Sequence, residues 1–213
     1  MVINREIGKI LFAFLCGVLA PHKSFSAGEG DFRTTKINFF QTYYSGEENK
    51  SLGKGSPGYG VEFFRDGGGN IFRGYIKGRF GTSTGSQKFQ DGSDSVTAQY
   101  NLYFGHGEIG GLLFPIPRRD MGTNVYLGAG GFVSYNLMNL ATSATTTTHL
   151  KTNQQAASYG YSALMGVEMV FGSGAGKHYM GTLEMSYRQE QTRLAGQELF
   201  DLSGLTLSVG LGW

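Results

Sequence analysis

The chain has 213 residues, with 18 Lys+Arg against 16 Asp+Glu, 35 Gly, 4 Pro and one Cys. Glycine at this level without a Gly-X-Y period excludes collagen; 14% aromatic residues exclude a disordered chain; and 16% charged residues, below the roughly 25% of an average domain, argue against a coiled coil. A net charge of +2 with no basic block leaves no footprint for nucleic acid, and one cysteine makes neither an internal disulfide nor a cysteine-rich metal site.

Residues 1–26 read as a secretory signal peptide. Arg5 and Lys9 supply the basic start, and Ile10 to Ala20 is an apolar stretch too short to cross a bilayer of about 30 Å as a helix. Ser24-Phe25-Ser26 puts small residues at −3 and −1 of a cut before Ala27. Cys16 lies inside this leader, and Leu15 stands where a lipoprotein needs a small residue. The mature chain, 27–213, is therefore expected to be exported, cysteine-free, formally neutral and one domain. No later stretch reaches the roughly 18 apolar residues of a membrane helix. The mature chain is then either soluble or a closed membrane barrel.

From there the repeating signal has period two, which means strands. Residues 33–44 form a first strand and Tyr59 to Arg65 a second. Residues 71–84 form a third, with Phe72, Ile76 and Phe80 opposite Arg73, Tyr75, Lys77 and Arg79. Residues 95–104 set Val96, Ala98, Tyr100, Leu102 and Phe104 against Thr97, Gln99, Asn101 and Tyr103. Residues 105–115 either continue this strand past a bulge at Gly105–Gly107 or stand alone. A bacterial barrel has an even number of strands, so continuation, giving eight, is the expectation. Three clear alternations follow over 124–137, 158–171 and 179–188, and the last runs Leu205, Leu207, Val209, Leu211, Trp213 on one face.

Connections sort into two classes. Those after strands two, four and six (66–70, 115–122, 172–177) are short; those after one, three, five and seven (45–56, 86–94, 139–155, 190–198) are longer and more polar. Short turns at one rim and long loops at the other suit a membrane barrel. Residues 141–155 are a Thr-rich, solvated loop by composition.

Period two gives two faces without saying which points inward. The leader and the loop asymmetry favour apolar-out. So do glycines on the polar faces (Gly128, Gly130, Gly160, Gly166, Gly210, Gly212), because eight strands leave little interior room. A Lys or Arg facing lipid costs about 2–4 kcal/mol at mid-bilayer, so Arg73, Lys77 and Arg79 must face in. Lys36, Glu62, Glu108, Glu168, Glu184 and Arg188 are expected beside them. Unpaired buried charge is costly, so these groups are expected to form a salt-bridged network that plugs the lumen. A gated ion path is the alternative use of the same residues.

The whole mature stretch resembles the small outer-membrane β-barrels of Gram-negative bacteria, the OmpA/OmpW-like group. The terminal LTLSVGLGW and NVYLGAGGFVSYNL (124–137) carry the likeness. The resemblance implies an eight-stranded, antiparallel, up-and-down transmembrane barrel in the outer membrane. Its neighbours would be outer-membrane lipid and lipopolysaccharide. It also implies that Leu205, Leu207, Val209, Leu211 and Trp213 form the signal read by the barrel-assembly machinery. No peptidoglycan-binding domain is expected after the barrel.

Other chemistry is weak. Gly53–Gly58 and Gly105–Gly110 match G-x-G-x-x-G, but neither opens a helix that would meet a pyrophosphate. His106, His149 and His178 have no metal-like spacing. His106 and Glu108 form a possible acid/base pair of the kind a lipid-modifying barrel enzyme needs, with a polar rim pair as the plain reading. Glu47, Glu48, Asp91 and Asp94 fall in outer loops, as solvated charge or as ligands for bridging Ca²⁺. The expectation is a non-enzymatic barrel with no cofactor, no metal and an unidentified surface partner. A narrow conduit, a lipid-modifying enzyme and a soluble lipocalin-like barrel are the alternatives.

Overall fold

The structure, a computed structural model, describes residues 34–45, 56–91, 94–142, 152–174, 177–194 and 200–213. Residues 1–26, where a leader is expected, and Glu47, Glu48 and His149 lie outside these. The strands are β1 (Thr34–Tyr44), β2 (Gly58–Gly68), β3 (Phe72–Asp91), β4 (Asp94–Leu113), β5 (Gly122–Thr142), β6 (Asn153–Gly174), β7 (Lys177–Thr192), β8 (Phe200–Asp201) and β9 (Gly204–Gly212). Each pairs antiparallel with its neighbour in sequence through β7. β8 and β9 both lie along β7, at Gln191↔Asp201 and Arg188↔Gly204, so they are two pieces of one stave broken at Leu202-Ser203. β9 then pairs with β1 and closes an eight-stave barrel with no free edge around its girth.

The register decides which face is which. Leu183 is 59% exposed while its neighbour Glu184 is 1% exposed, and the pattern repeats along β5, β6, β7 and β9. Outward apolar residues meet across strands, as in Leu127↔Met165, Met165↔Met185 and Leu183↔Val209. The outer wall thus carries an apolar belt, with the ionised residues shut inside. Phe72, Phe171, Tyr179 and Trp213 mark one rim of the belt; Tyr43, Tyr59, Tyr103, Tyr159 and Tyr187 mark the other. Aromatic rims on an apolar band are the mark of a membrane-spanning barrel. The outward Leu205, Leu207, Val209 and Leu211 of β9 belong to the belt.

Four sequence expectations are corrected. First, β3 and β4 pair without interruption from Phe72↔Leu113 to Asp91↔Asp94, so there is no bulge at Gly105–Gly107. With parity unbroken, Ala98, Tyr100, Leu102 and Phe104 share the inner face with His106 and Glu108. Second, 86–94 is not a long loop, because only residues 92–93 separate the two strands. Third, β5 and β6 extend into 139–155, leaving 143–152 as the connection. Fourth, Glu190 and Asp66 lie within β7 and β2 and point into the lumen.

Apart from Asp66, which lies at the opposite end where β2 simply runs past Arg65, the cause is common: beyond the tyrosine rim the barrel continues with its sidedness reversed. There the inner face is apolar, built from Phe40, Tyr44, Ala98, Tyr100, Leu102, Phe104, Met138 and Leu140. The outer face is polar, with Thr84, Gln99, Asn101, Asn139, Gln155 and Gln191 exposed. Strands longer than the bilayer needs are stabilised by this second core, as in a water-soluble barrel.

Candidate functional site: the charged lumen and its apolar cap

Alternation in β1–β7 and β9 aims every second side chain at the axis, and at mid-height these side chains are charged. Among the described residues, the buried cations Lys36, Arg73, Lys77, Arg79, Arg118 and Arg188 balance the buried anions Glu62, Asp66, Glu108, Glu168, Glu184 and Glu190. All nine lumen residues singled out from sequence lie inside. Asp66, Arg118 and Glu190 complete the set.

The groups form tiers. Nearest the rim that carries Trp213, Arg73 Nε donates to Asp66 Oδ1 at 2.7 Å, and Lys36 Nζ stands between Asp66 (3.5 Å) and Glu168 (3.2 Å). Arg118 Nε closes on Glu168 from the β4–β5 connection. That turn is shaped by Asn124, which accepts from the Arg119 amide at 2.7 Å and donates to its carbonyl at 3.0 Å. Lys36 also sits over the rings of Phe64 and Tyr126, at 4.6 and 4.7 Å from their centroids.

The middle tier is a quartet. Lys77 Nζ donates to Glu184 Oε1 at 2.6 Å and lies 3.8 Å from Glu62. Arg79 donates to Glu62 Oε2 at 2.5 Å and to Ser186 Oγ at 2.9 Å, and approaches Glu184 at 3.6 Å. Asn38 donates to Glu62 at 2.7 Å, and Tyr126 to Glu184 at 3.1 Å. Each carboxylate is thus met by cations and by neutral donors, the condition under which a buried ion cluster is tolerated.

Above it, Glu108 accepts from Tyr75 at 2.5 Å and from Ser162 at 2.6 Å, and meets His106 Nε2 at 3.0 Å. The His106 ring lies 4.2 Å from that of Phe132. His106 and Glu108 therefore do form a pair, but one buried inside the wall, away from the lipid-facing surface. The last tier joins Arg188 to Glu190 at 3.6 Å, with Glu190 accepting from Ser158 (2.6 Å) and Asn136 (3.0 Å).

A buried apolar cluster lies beyond, at the end of the lumen. Leu194, Phe200 and Leu202 turn in from the β7–β9 segment and are buried against Tyr100, Leu102, Met138 and Leu140. Ser203 pins the segment: its amide is held by Asp201 at 2.7 Å, and its Oγ accepts from the Glu190 amide at 3.0 Å. Glycine makes the tight interior possible. A Cβ on Gly166 would meet the Tyr126 ring at 2.3 Å. Among the described residues, no group of three or more His, Cys, Asp and Glu is arranged to hold a metal.

A greasy outer belt between aromatic rims, wrapped round a neutralised ionic interior, is the build of a small integral barrel of the outer-membrane type. Solved structures with this fold include Neisserial surface protein A and the outer-membrane protein OprG of Pseudomonas aeruginosa. The first superposes with a TM-score of 0.54 at 14% identity, over 86% of this chain and 98% of that one. The second gives a TM-score of 0.55 at 11% identity, over 86% of this chain and 94% of that one. No protein-family model matches the chain, and comparison with curated proteins finds no match.

Proposed function

We propose that the protein is an integral outer-membrane barrel with a closed lumen, whose role is structural or lies in contacts made by its outer surface. The observation that supports this reading is what stands along the axis: six buried cations and six buried anions at mid-height, with a buried apolar cluster at one end. An ion or small polar solute would have to break paired, buried charges and then cross a dry apolar layer. On the same reading, the outward Leu205, Leu207, Val209, Leu211 and Trp213 are what the barrel-assembly machinery reads, and the surrounding ligand is lipid with lipopolysaccharide.

The test is planar-bilayer recording of the purified barrel. Wild type should show no discrete openings, and neither should Leu102→Ala, which thins only the cap. Steady unitary conductance from the wild type would overturn the closed-lumen reading in favour of a narrow conduit.

A further inference from the structure

The polar wall beyond the tyrosine rim has an order that solubility alone does not require. Cross-strand register aligns Thr84, Asn101, Asn139 and Asn153 in one row across β3–β6. Ser86 and Gln99 stand in the next row out. All of them are exposed. Asparagine is depleted in strands, yet three stand side by side here. None of the hydrogen bonds among the described residues engages the side chains of Asn101, Asn139 or Asn153. Neighbouring strands lie about 4.8 Å apart, so the row is about 14 Å wide, the footprint of a short oligosaccharide.

The chemistry of the array narrows the partner. The side chains of these two rows are uncharged, and Lys88, exposed one row beyond Ser86 on the same face, is a single cation rather than the basic cluster that a polyanion needs. The array lacks the aromatic and aliphatic anchors on which protein interfaces depend. It is too polar for acyl chains. What it offers is amide and hydroxyl groups free to donate and accept, the complement of neutral sugar hydroxyls. Position gives the source. The row starts one step beyond Tyr103 on β4 and reaches Asn153, six residues beyond the rim residue Tyr159 on β6, so it climbs the wall outward from the rim, where the sugars of a surrounding glycolipid stand above its acyl chains.

We infer that the outward face of β3–β6 beyond the tyrosine rim binds the neutral sugar units of the glycolipid that surrounds the barrel in the outer leaflet. This rests on the outer-membrane reading above.

The experiment uses the full mature chain folded into phospholipid vesicles, its folding checked by heat-modifiable gel mobility. It is titrated with lipopolysaccharide carrying a complete core oligosaccharide and with the form truncated to lipid A and its innermost sugars. Wild type should bind the core-bearing form at least tenfold more tightly. The variant Asn101→Ala/Asn139→Ala/Asn153→Ala should lose that preference, and Gln191→Ala, outward on β7, should keep it. Free neutral core oligosaccharide should displace the core-bearing form from wild type, a readout independent of how the variants fold. Equal affinity for the two forms, an unchanged preference in the triple variant, or no displacement would overturn the inference. Failure to insert into any bilayer appears at the gel-mobility step and counts against the outer-membrane reading instead.

Discussion

Lys77 and Glu184 stand 107 residues apart in the chain and meet inside the barrel at 2.6 Å. Their contact, with Arg79 and Glu62 beside it, ties β2, β3 and β7 across the lumen. Removing one partner leaves an uncompensated buried charge, which costs about 3–5 kcal/mol. Glu184→Gln should therefore lower the urea midpoint of the folded barrel in vesicles. Lys77→Met/Glu184→Leu, which removes both charges, should recover most of the loss. Trp213, the sole tryptophan, reports the transition by fluorescence. A Glu184→Gln barrel as stable as wild type would contradict the role given to the quartet.

The lipid-facing wall makes a different demand. Leu183→Arg should destabilise by about 2–4 kcal/mol, since the residue faces the hydrocarbon belt. Gln191→Arg, outward on the same strand but beyond the tyrosine rim, should stay within about 0.5 kcal/mol of wild type. Comparing the two by unfolding in vesicles locates the upper edge of the membrane. Equal penalties at both sites would mean that the rim is drawn in the wrong place.

Glycines separate by face in the same way. Gly166→Ala drives a methyl group into the Tyr126 ring and should cost about 1–3 kcal/mol. Gly111→Ala adds its methyl on the outer wall, where the nearest atom is the Arg73 carbonyl oxygen at 3.9 Å. It should be neutral or mildly stabilising, because it removes backbone freedom from the unfolded chain. Denaturant midpoints of the two variants should move apart; a shared shift would argue against the crowded interior.

The outer storey has its own core, so its stability should be separable. Leu102→Ala should cost about 2–5 kcal/mol locally. Hydrogen exchange should quicken in 98–104 and 136–142 while Lys77, Arg79 and Glu184 keep their slow backbone amides. Uniform acceleration along β3–β7 would show that the two storeys melt as one unit.

Much of this was legible from alternation. The faces of β6 and β7 were readable because each has a charged side and an apolar side at membrane height, where misplacing a charge is expensive; those of β5 and β9 were readable because small and polar residues alternate with apolar ones. Asp66 and Glu190 share parity with Glu62 and Glu184, so they were within reach; the strands simply run further than their apolar faces suggested. The inner placement of Tyr100, Leu102 and Phe104 was not legible by the same rule. Reading apolar-out along all of β4 demanded a bulge, whereas the real strand passes from lipid to water and changes what its inner face must be. Arg118 carries no periodic signal at all. It follows Pro117 in a turn, and only the clasp of Asn124 on Arg119 directs the turn so that Arg118 meets Glu168.

The equal tally of acids and bases along the axis restricts how such a sequence drifts. A substitution that adds or deletes one ionised group there leaves its former mate stranded, so tolerated change has to come as compensating pairs spread over distant strands. Facing the bilayer, by contrast, one aliphatic residue can stand in for another with no second event. Related barrels should therefore show correlated replacement at positions such as 62, 77, 79 and 184, and independent replacement at positions such as 165, 183 and 209.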